Sequence, residues 1–181
     1  DTTTQWGYLH HNSDVGEFFL SSDSVIATFS YWQSTADLMR QIPPADVENF
    51  EAIGYTIGGM MVFPSNKVDG QWTINMARGM NRKIADRMDL TLECIRRHYA
   101  HQPSELGEVL SRYEEFFDLF EDFSGYVSFF LLQDLLHEDG TVRFFMPFDD
   151  FTTPAVPGDL KTYQEYRRRS IDFVQARNVR I

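Results

Sequence analysis

The sequence holds one cysteine, Cys94, in 181 residues. A lone thiol excludes an intramolecular disulfide, and it equally excludes a zinc ribbon or a CxxC redox pair. Long apolar runs are missing as well. The longest near-apolar stretch, Val127 to Leu136, is interrupted by Ser128, Gln133 and Asp134 and falls far short of the roughly 20 residues a membrane span needs. The first twenty residues carry Asp1, His10, His11, Asp14 and Glu17 with no basic start before an apolar core, so no secretory leader is visible. These absences lead to the expectation of a soluble, cytoplasmic protein with no membrane partner. Basic charge is also in short supply. With 16 Lys+Arg against 27 Asp+Glu, the formal net charge is −11, a field that repels nucleic acid and makes it an unlikely partner class to choose. There is no internal repeat, no low-complexity tract and no metal-ligand spacing, so no metal is expected and no cofactor is indicated.

What the chain does have is bulk. Hydrophobic residues make up 43%, and 16 Phe, 8 Tyr and 3 Trp provide large buried areas per residue. Length and composition fit one domain over residues 1–181. The chain starts at Asp1 without a Met, which leads to the expectation that a native N-terminal segment precedes it. Charge is unevenly placed. Between Arg78 and Arg97, the basic residues Arg78, Arg82, Lys83, Arg87, Arg96 and Arg97 outnumber Asp86, Asp89 and Glu93, whereas Glu105 to Asp139 is densely acidic with Arg112 alone opposing it.

The pattern predicts an α+β fold, a mostly antiparallel sheet with four or so helices packed on it, because strand signals cluster early and helix signals late. Gly16–Leu20 and Val25–Trp32 read as strands around a polar Ser21-Ser-Asp-Ser turn. Thr35 to Gln41 reads as a short helix stopped at Pro43-Pro44, and Asp46 to Ala52 as a short helix or turn. Met60 to Phe63 is a β-prone segment entered through glycines, with Gln71 to Met76 as its return strand. Arg82 to Tyr99 gives a helix with Ile84, Met88, Leu92, Ile95 and Tyr99 on one stripe and Arg82, Asp86, Asp89, Glu93, Arg96 and Arg97 on the other. A helix opened by Ser104 as N-cap and broken at Ser124-Gly125 follows. Tyr126 to His137 then reads as a buried helix, Thr141 to Phe148 as a strand, Asp149 to Asp159 as a loop, and Leu160 to about Ala176 as the last helix.

The runs Gly54-Tyr-Thr-Ile-Gly-Gly, Thr73-Ile-Asn-Met-Ala-Arg-Gly79 and Asp89-Leu-Thr-Leu-Glu-Cys-Ile-Arg-Arg-His-Tyr99 resemble those of a family of bacterial proteins of unknown function. Gly125-Tyr-Val-x-Phe-Phe-Leu-Leu-Gln-Asp134, Pro147-Phe-Asp-Asp-Phe151 and Arg177-Asn-x-Arg-Ile181 extend the resemblance over nearly the whole chain. It implies further residues ahead of Asp1, with a Tyr-His-Lys and a Trp among them. It implies no activity.

Candidate chemistry centres on the segment from Asn75 to Arg97. Arg78-Gly79 between a strand and a helix start would offer a guanidinium fork and free N–H groups to an anion. Arg82 and Lys83 in the first helical turn would oppose the helix dipole unless an anion relieved them. Asn75 would orient a ligand hydroxyl or amide. The ligand-binding set is therefore Asn75, Arg78, Arg82, Arg96 and Arg97, weighed against an Arg78 that merely pairs with a native acid. The acid–base candidates are Asp89, Glu93 and Asp134. A salt-bridged solvated face is the bland alternative for the first two, and Asp134, in an apolar segment, needs a partner such as Arg78, Arg96 or Arg143. His10 and His11 are adjacent on a strand and point to opposite faces, a weak metal signal. His98 and His101 suit a helix end, and Cys94 suits packing. Asp149-Asp150 sits where a strand end would reach a cleft.

Two functions follow as expectations. One is an enzyme or binding protein for an anionic small molecule, a phosphate-bearing metabolite or nucleotide. The other is a non-enzymatic acidic protein, antitoxin-, immunity- or regulator-like, whose Glu105 to Asp139 face meets a basic protein partner. RNA binding through Arg167 to Arg169 with Tyr163 and Tyr166 is the weakest reading, because the net field opposes it.

Overall fold

A computed structural model describes the backbone of all residues except 1, 6, 7, 14 and 15, and side chains from residue 17 onward. Four strands, β1 (Thr2–Gln5), β2 (Tyr8–Ser13), β3 (Gly16–Ser24) and β4 (Met60–Pro64), form one antiparallel sheet in that order. β3 runs straight through Ser21 to Ser24, where a turn was expected. The reason is that β4 arrives as its partner, pairing Ser21 with Phe63 and Ser24 with Met60, so the serines' backbone groups are satisfied in a ladder. Val25–Trp32 is not a strand. Val25 N donates to Gly59 O (2.8 Å) and Ala27 N to the Tyr166 hydroxyl (2.8 Å), and Val25, Ile26, Ala27 and Phe29 are all buried. Three consecutive buried residues, Val25 to Ala27, break the in-and-out alternation of a strand with one wet face, and the chain hydrogen-bonds to a loop carbonyl and a side chain instead of a neighbouring strand, so its β-prone composition does not produce a strand.

The helices begin with α1 (Ala36–Met39) and α2 (Pro44–Gly54). Pro44 opens α2 at its first position, where a missing N–H costs nothing, so the helix is longer than the expected Asp46 to Ala52. The return strand expected at Gln71 to Met76 is also absent. Asp69 and Gly70 are both left-handed (φ 50° and 71°), Thr73 caps the Met76 amide, and α3 (Ile74–Met80) follows. α4 (Met88–Tyr99) starts six residues later than Arg82. Residues 82–87 instead form turns in which Ala85 and Asp86 are left-handed (φ 48° and 62°). Every residue from Met88 to Ile95 is buried, so the charged stripe expected on this helix does not face water along its first two turns.

The stretch after Ser104 is broken into α5 (Gly107–Ser111), α6 (Glu114–Asp118) and α7 (Phe123–Phe129). Ser104 caps none of them. Asp122 caps α7 by accepting from Gly125 N (2.7 Å), so Gly125 lies inside a helix it was expected to end. The chain then turns at left-handed Leu131 (φ 55°) in place of the expected long buried helix. This lets Phe120, Tyr126 and Phe130 meet at centroid separations of 4.8–5.3 Å. Residues 141–148, expected as a strand, contribute one bridge, Leu136 to Val142. α8 (Leu160–Arg180), capped by Asp159 on the Thr162 amide (2.7 Å), runs one turn beyond the expected end.

Helices therefore outnumber the four or so expected, and the class is α+β. The buried residues form one cluster from Phe18 to Val174. The far end of α8 is stapled to the turn before β4. Arg177, buried, donates to the carbonyls of Gly58 (2.9 Å), Met60 (2.7 Å) and Phe130 (2.9 Å), and Asn178 Oδ1 accepts from Gly58 N (2.8 Å). A Cβ on Gly59 would stand 2.3 Å from the Gly54 carbonyl oxygen, so close approach is what these glycines supply. Among the described residues no helix is long and apolar enough to cross a membrane.

Candidate functional site

Arg78 is completely buried, and all three of its guanidinium nitrogens donate. Nε donates to Thr91 Oγ1 (2.9 Å), Nη1 to Asp23 Oδ2 (2.6 Å), and Nη2 to the Ser24 and Asp86 carbonyls (3.4 and 3.2 Å). Nη2 also stands 3.6 Å from Asp86 Oδ1, and the group lies over the Phe63 ring at 5.4 Å. In turn the Asp86 amide donates to the Arg78 carbonyl (3.1 Å). One residue of α3 thus holds both the main chain and the side chain of the left-handed Ala85-Asp86 pair. Such a conformation costs a non-glycine residue energy and persists only where surroundings enforce it.

The carboxylates that face Arg78 have a second side, and it opens on a cavity of about 200 Å³. Asp23 at the end of β3, Asp86 from the 82–87 turn, Glu51 in the last turn of α2 and Tyr55 just past it all line it, together with Tyr31 and Trp32. The turn bearing those last two is anchored by buried Thr35, whose hydroxyl is within hydrogen-bond reach of the Phe29 and Trp32 carbonyls (2.6 and 2.9 Å). Tyr31 and Tyr55 are 93% and 75% exposed, aromatic faces left at the mouth of an acidic hollow. Asp23 is doubly bonded, accepting from Arg78 and from Ser24 N (2.9 Å). Asp86 Oδ1 is buried without a hydrogen bond. Burial pushes the Asp86 carboxyl up to about 6, with Arg78 opposing the rise and Asp23 adding to it. For Glu51, half-buried, no cation stands within salt-bridge distance among the described residues.

The residues expected to bind or act on an anion do not converge here. Asn75 donates to Ser21 Oγ (2.9 Å) between α3 and β3, and Arg82 is exposed. Asp89 is fully buried in a bidentate pair with Arg87 and accepts from Phe145 N (2.8 Å). Glu93 is forked by Arg96 (2.8 Å twice) and Arg97 (2.7 Å). Burial alone would raise the Glu93 carboxyl, but the bonds from the two arginines outweigh it and hold it below its ordinary value, the wrong direction for a general base at neutral pH. Arg97 also pairs with Asp150 (2.6 Å). Asp134 is paired with Arg180 in two 3.0 Å bonds, not with Arg78, Arg96 or Arg143, and it borders a different groove, with His137 and Arg143.

Of the remaining candidates, Cys94 is buried and its thiol is pushed up to about 12 by burial, as a packing residue requires. Burial also lowers His98. The His10 and His11 side chains lie outside the described residues. Among the described residues no group of three or more His, Cys, Asp or Glu is arranged to hold a metal ion.

The sequence profile of a family of unknown function, DUF6994, matches residues 1–181. The chain belongs to that family. Comparison with curated proteins and with solved structures gives no match. For this DUF6994 chain, then, the site must speak through its own geometry. In the sequence Asp86 reads only as part of a charged stripe, and neither Asp23 nor Glu51 stands out. A carboxylate on a strand end and one at a helix end, 28 residues apart, carry no spacing signal, and nothing local marks the left-handed pair that turns Asp86 toward them.

Proposed function

We propose that the protein binds a small organic cation, an amine or a quaternary ammonium, in the cavity between the end of β3, the end of α2 and the 82–87 turn. The observation that carries this reading is charge balance. Asp23, Glu51 and Asp86 line the hollow, and Arg78, the guanidinium that bonds Asp23 and stands 3.6 Å from Asp86 Oδ1, is fully buried behind them. A cavity with uncompensated carboxylates favours a positive guest, and the faces of Tyr31, Trp32 and Tyr55 add cation–π attraction, worth about 0.5–2 kcal/mol per good contact. The anionic ligand expected from Arg78, Arg82, Arg96 and Arg97 has weaker support, because Arg78, Arg96 and Arg97 are each bonded to native carboxylates.

The test is a thermal-shift and calorimetric comparison of tetramethylammonium and alkylammonium ions with inorganic phosphate and nucleotides at pH 7.5. A ligand at a hundred times its Kd should add about 2.7 kcal/mol of stability. The reading expects shifts from the cations that Glu51→Gln and Tyr55→Ala each reduce. A shift from phosphate or nucleotides with none from the cations overturns it.

A second reading, docking of a basic protein partner, is favoured by one surface. Glu114, Glu115, Asp118, Glu121 and Asp122 are exposed beside Leu119 and a 69% exposed Phe129. Phe129→Ala abolishing salt-sensitive binding of a basic amphipathic peptide would support that role over the cavity.

A further inference from the structure

We infer that cation binding in this cavity is exchanged against a proton on Asp86, so that acid closes the site and neutral pH opens it. The inference rests on the cation-binding reading and adds its regulation. One guanidinium cannot neutralise two carboxylates held against it. Asp23 takes the short contact with Arg78, 2.6 Å, and also the Ser24 amide, whereas Asp86 Oδ1 stands 3.6 Å from Nη2 and accepts no hydrogen bond. Of the pair, Asp86 is the carboxyl that a proton stabilises most. The charged groups around it are Arg78 from α3, Asp23 from β3 and, across the cavity, Glu51 from α2. Tyr31 and Tyr55 are the lining phenols, and no histidine lines the cavity among the described residues. Asp86, left without a hydrogen bond at Oδ1 and pushed by burial to about 6, therefore changes charge in mildly acidic solution.

A bound cation takes the place of that proton: the carboxylic O–H breaks, the proton leaves to buffer, and the carboxylate is left facing the cationic guest. The experiment is calorimetric titration of the whole chain with tetramethylammonium, a probe with no proton of its own, between pH 5 and 7.5 in buffers of different ionisation enthalpy. The expected result is affinity about tenfold weaker at pH 5 than at pH 7.5, the ratio set by a carboxyl that titrates near 6. Proton release should be measurable near pH 6 and absent in Asp86→Asn, whose weaker binding should be flat with pH. The proton-release measurement on the unaltered protein stands even if that variant does not fold. Binding that is equally strong across the range with no proton release overturns the exchange and leaves the cation reading intact. Absence of binding at pH 7.5 overturns both.

Discussion

Arg78 and Arg87 lie nine residues apart, both are buried to within 1% of full enclosure, and each is held by aspartate, yet they do opposite things. Arg87 faces one carboxylate, Asp89, that is itself completely buried and fixed further by the Phe145 amide, and its third nitrogen, Nη1, donates to the Ala155 carbonyl (3.2 Å). The pair is closed on itself and ties α4 to the 145–155 segment. Arg78 faces two carboxylates that are 24% and 34% exposed and that line a cavity on their other side. The first arrangement ends in protein and the second ends in solvent. A buried arginine is thus a staple when its partner is enclosed, and a backstop for an acidic pocket when its partners are not.

The largest way to sharpen that contrast is to remove the enclosed partner. Asp89→Asn leaves Arg87 charged and buried with no counter-ion, a change that typically costs about 3–5 kcal/mol. Urea unfolding should show this as a lower midpoint, with no dependence on any cation in solution. A loss under about 1 kcal/mol would mean that Arg87 is balanced elsewhere and that the two arginines are not distinct in kind.

A smaller effect, opposite in sign, is expected at Asp86. Its carboxyl rises from an ordinary 3.8 to about 6 in the folded chain, so between those values the native state holds a proton that the unfolded state has lost. Stability contributed by that proton is complete below about 4 and is lost as pH climbs through 6. The full shift would correspond to about 3 kcal/mol, and with a third of the side chain exposed, about 1 kcal/mol is the realistic size. Asp86→Asn should therefore gain on the unaltered protein as pH rises from 4 to 7. Glu93, held low by Arg96 and Arg97, works the other way, adding stability that is lost in acid, so the difference between the two proteins, rather than either curve, is the measurement. A difference that does not change with pH would remove Asp86 from the description of the pocket.

Much of the frame was legible in sequence because it depends on short-range pattern. Met60–Phe63 read as β-prone, the 3.6 period held over Met88–Tyr99, and the last helix was anticipated from Leu160. Pairing was not legible. β4 joins β3 across an intervening 35 residues instead of making a local hairpin, and only the complete sheet reveals it. Nor was enclosure legible. A mixed run of Arg, Asp and Glu on a helix reads as a wet face, yet Asp89 and Glu93 are buried because each has its own arginine within four residues. The candidate pocket was the least visible part. Its three acids come from a strand end, a helix end and a left-handed turn, and the charge on which the proposed cation binding rests is the one Arg78 leaves uncompensated, a sum over distant residues that no segment carries alone.

The smallest expected effect comes from Asp134, which resembles the enclosed pair in geometry and the open pair in setting. Its two 3.0 Å bonds to Arg180 match the bidentate form of Arg87 with Asp89, but the partners are 44% and 32% exposed. Water already solvates both charges, so there is little desolvation to be repaid and little lost when one partner goes. Asp134→Asn should lower stability by about 0.5 kcal/mol, less still in 1 M salt, and leave cation binding unchanged because Asp134 borders another groove. A loss comparable to that of Asp89→Asn would show that geometry, not enclosure, sets the strength of these pairs, and the contrast between Arg87 and Arg78 would have to be redrawn on bond count alone.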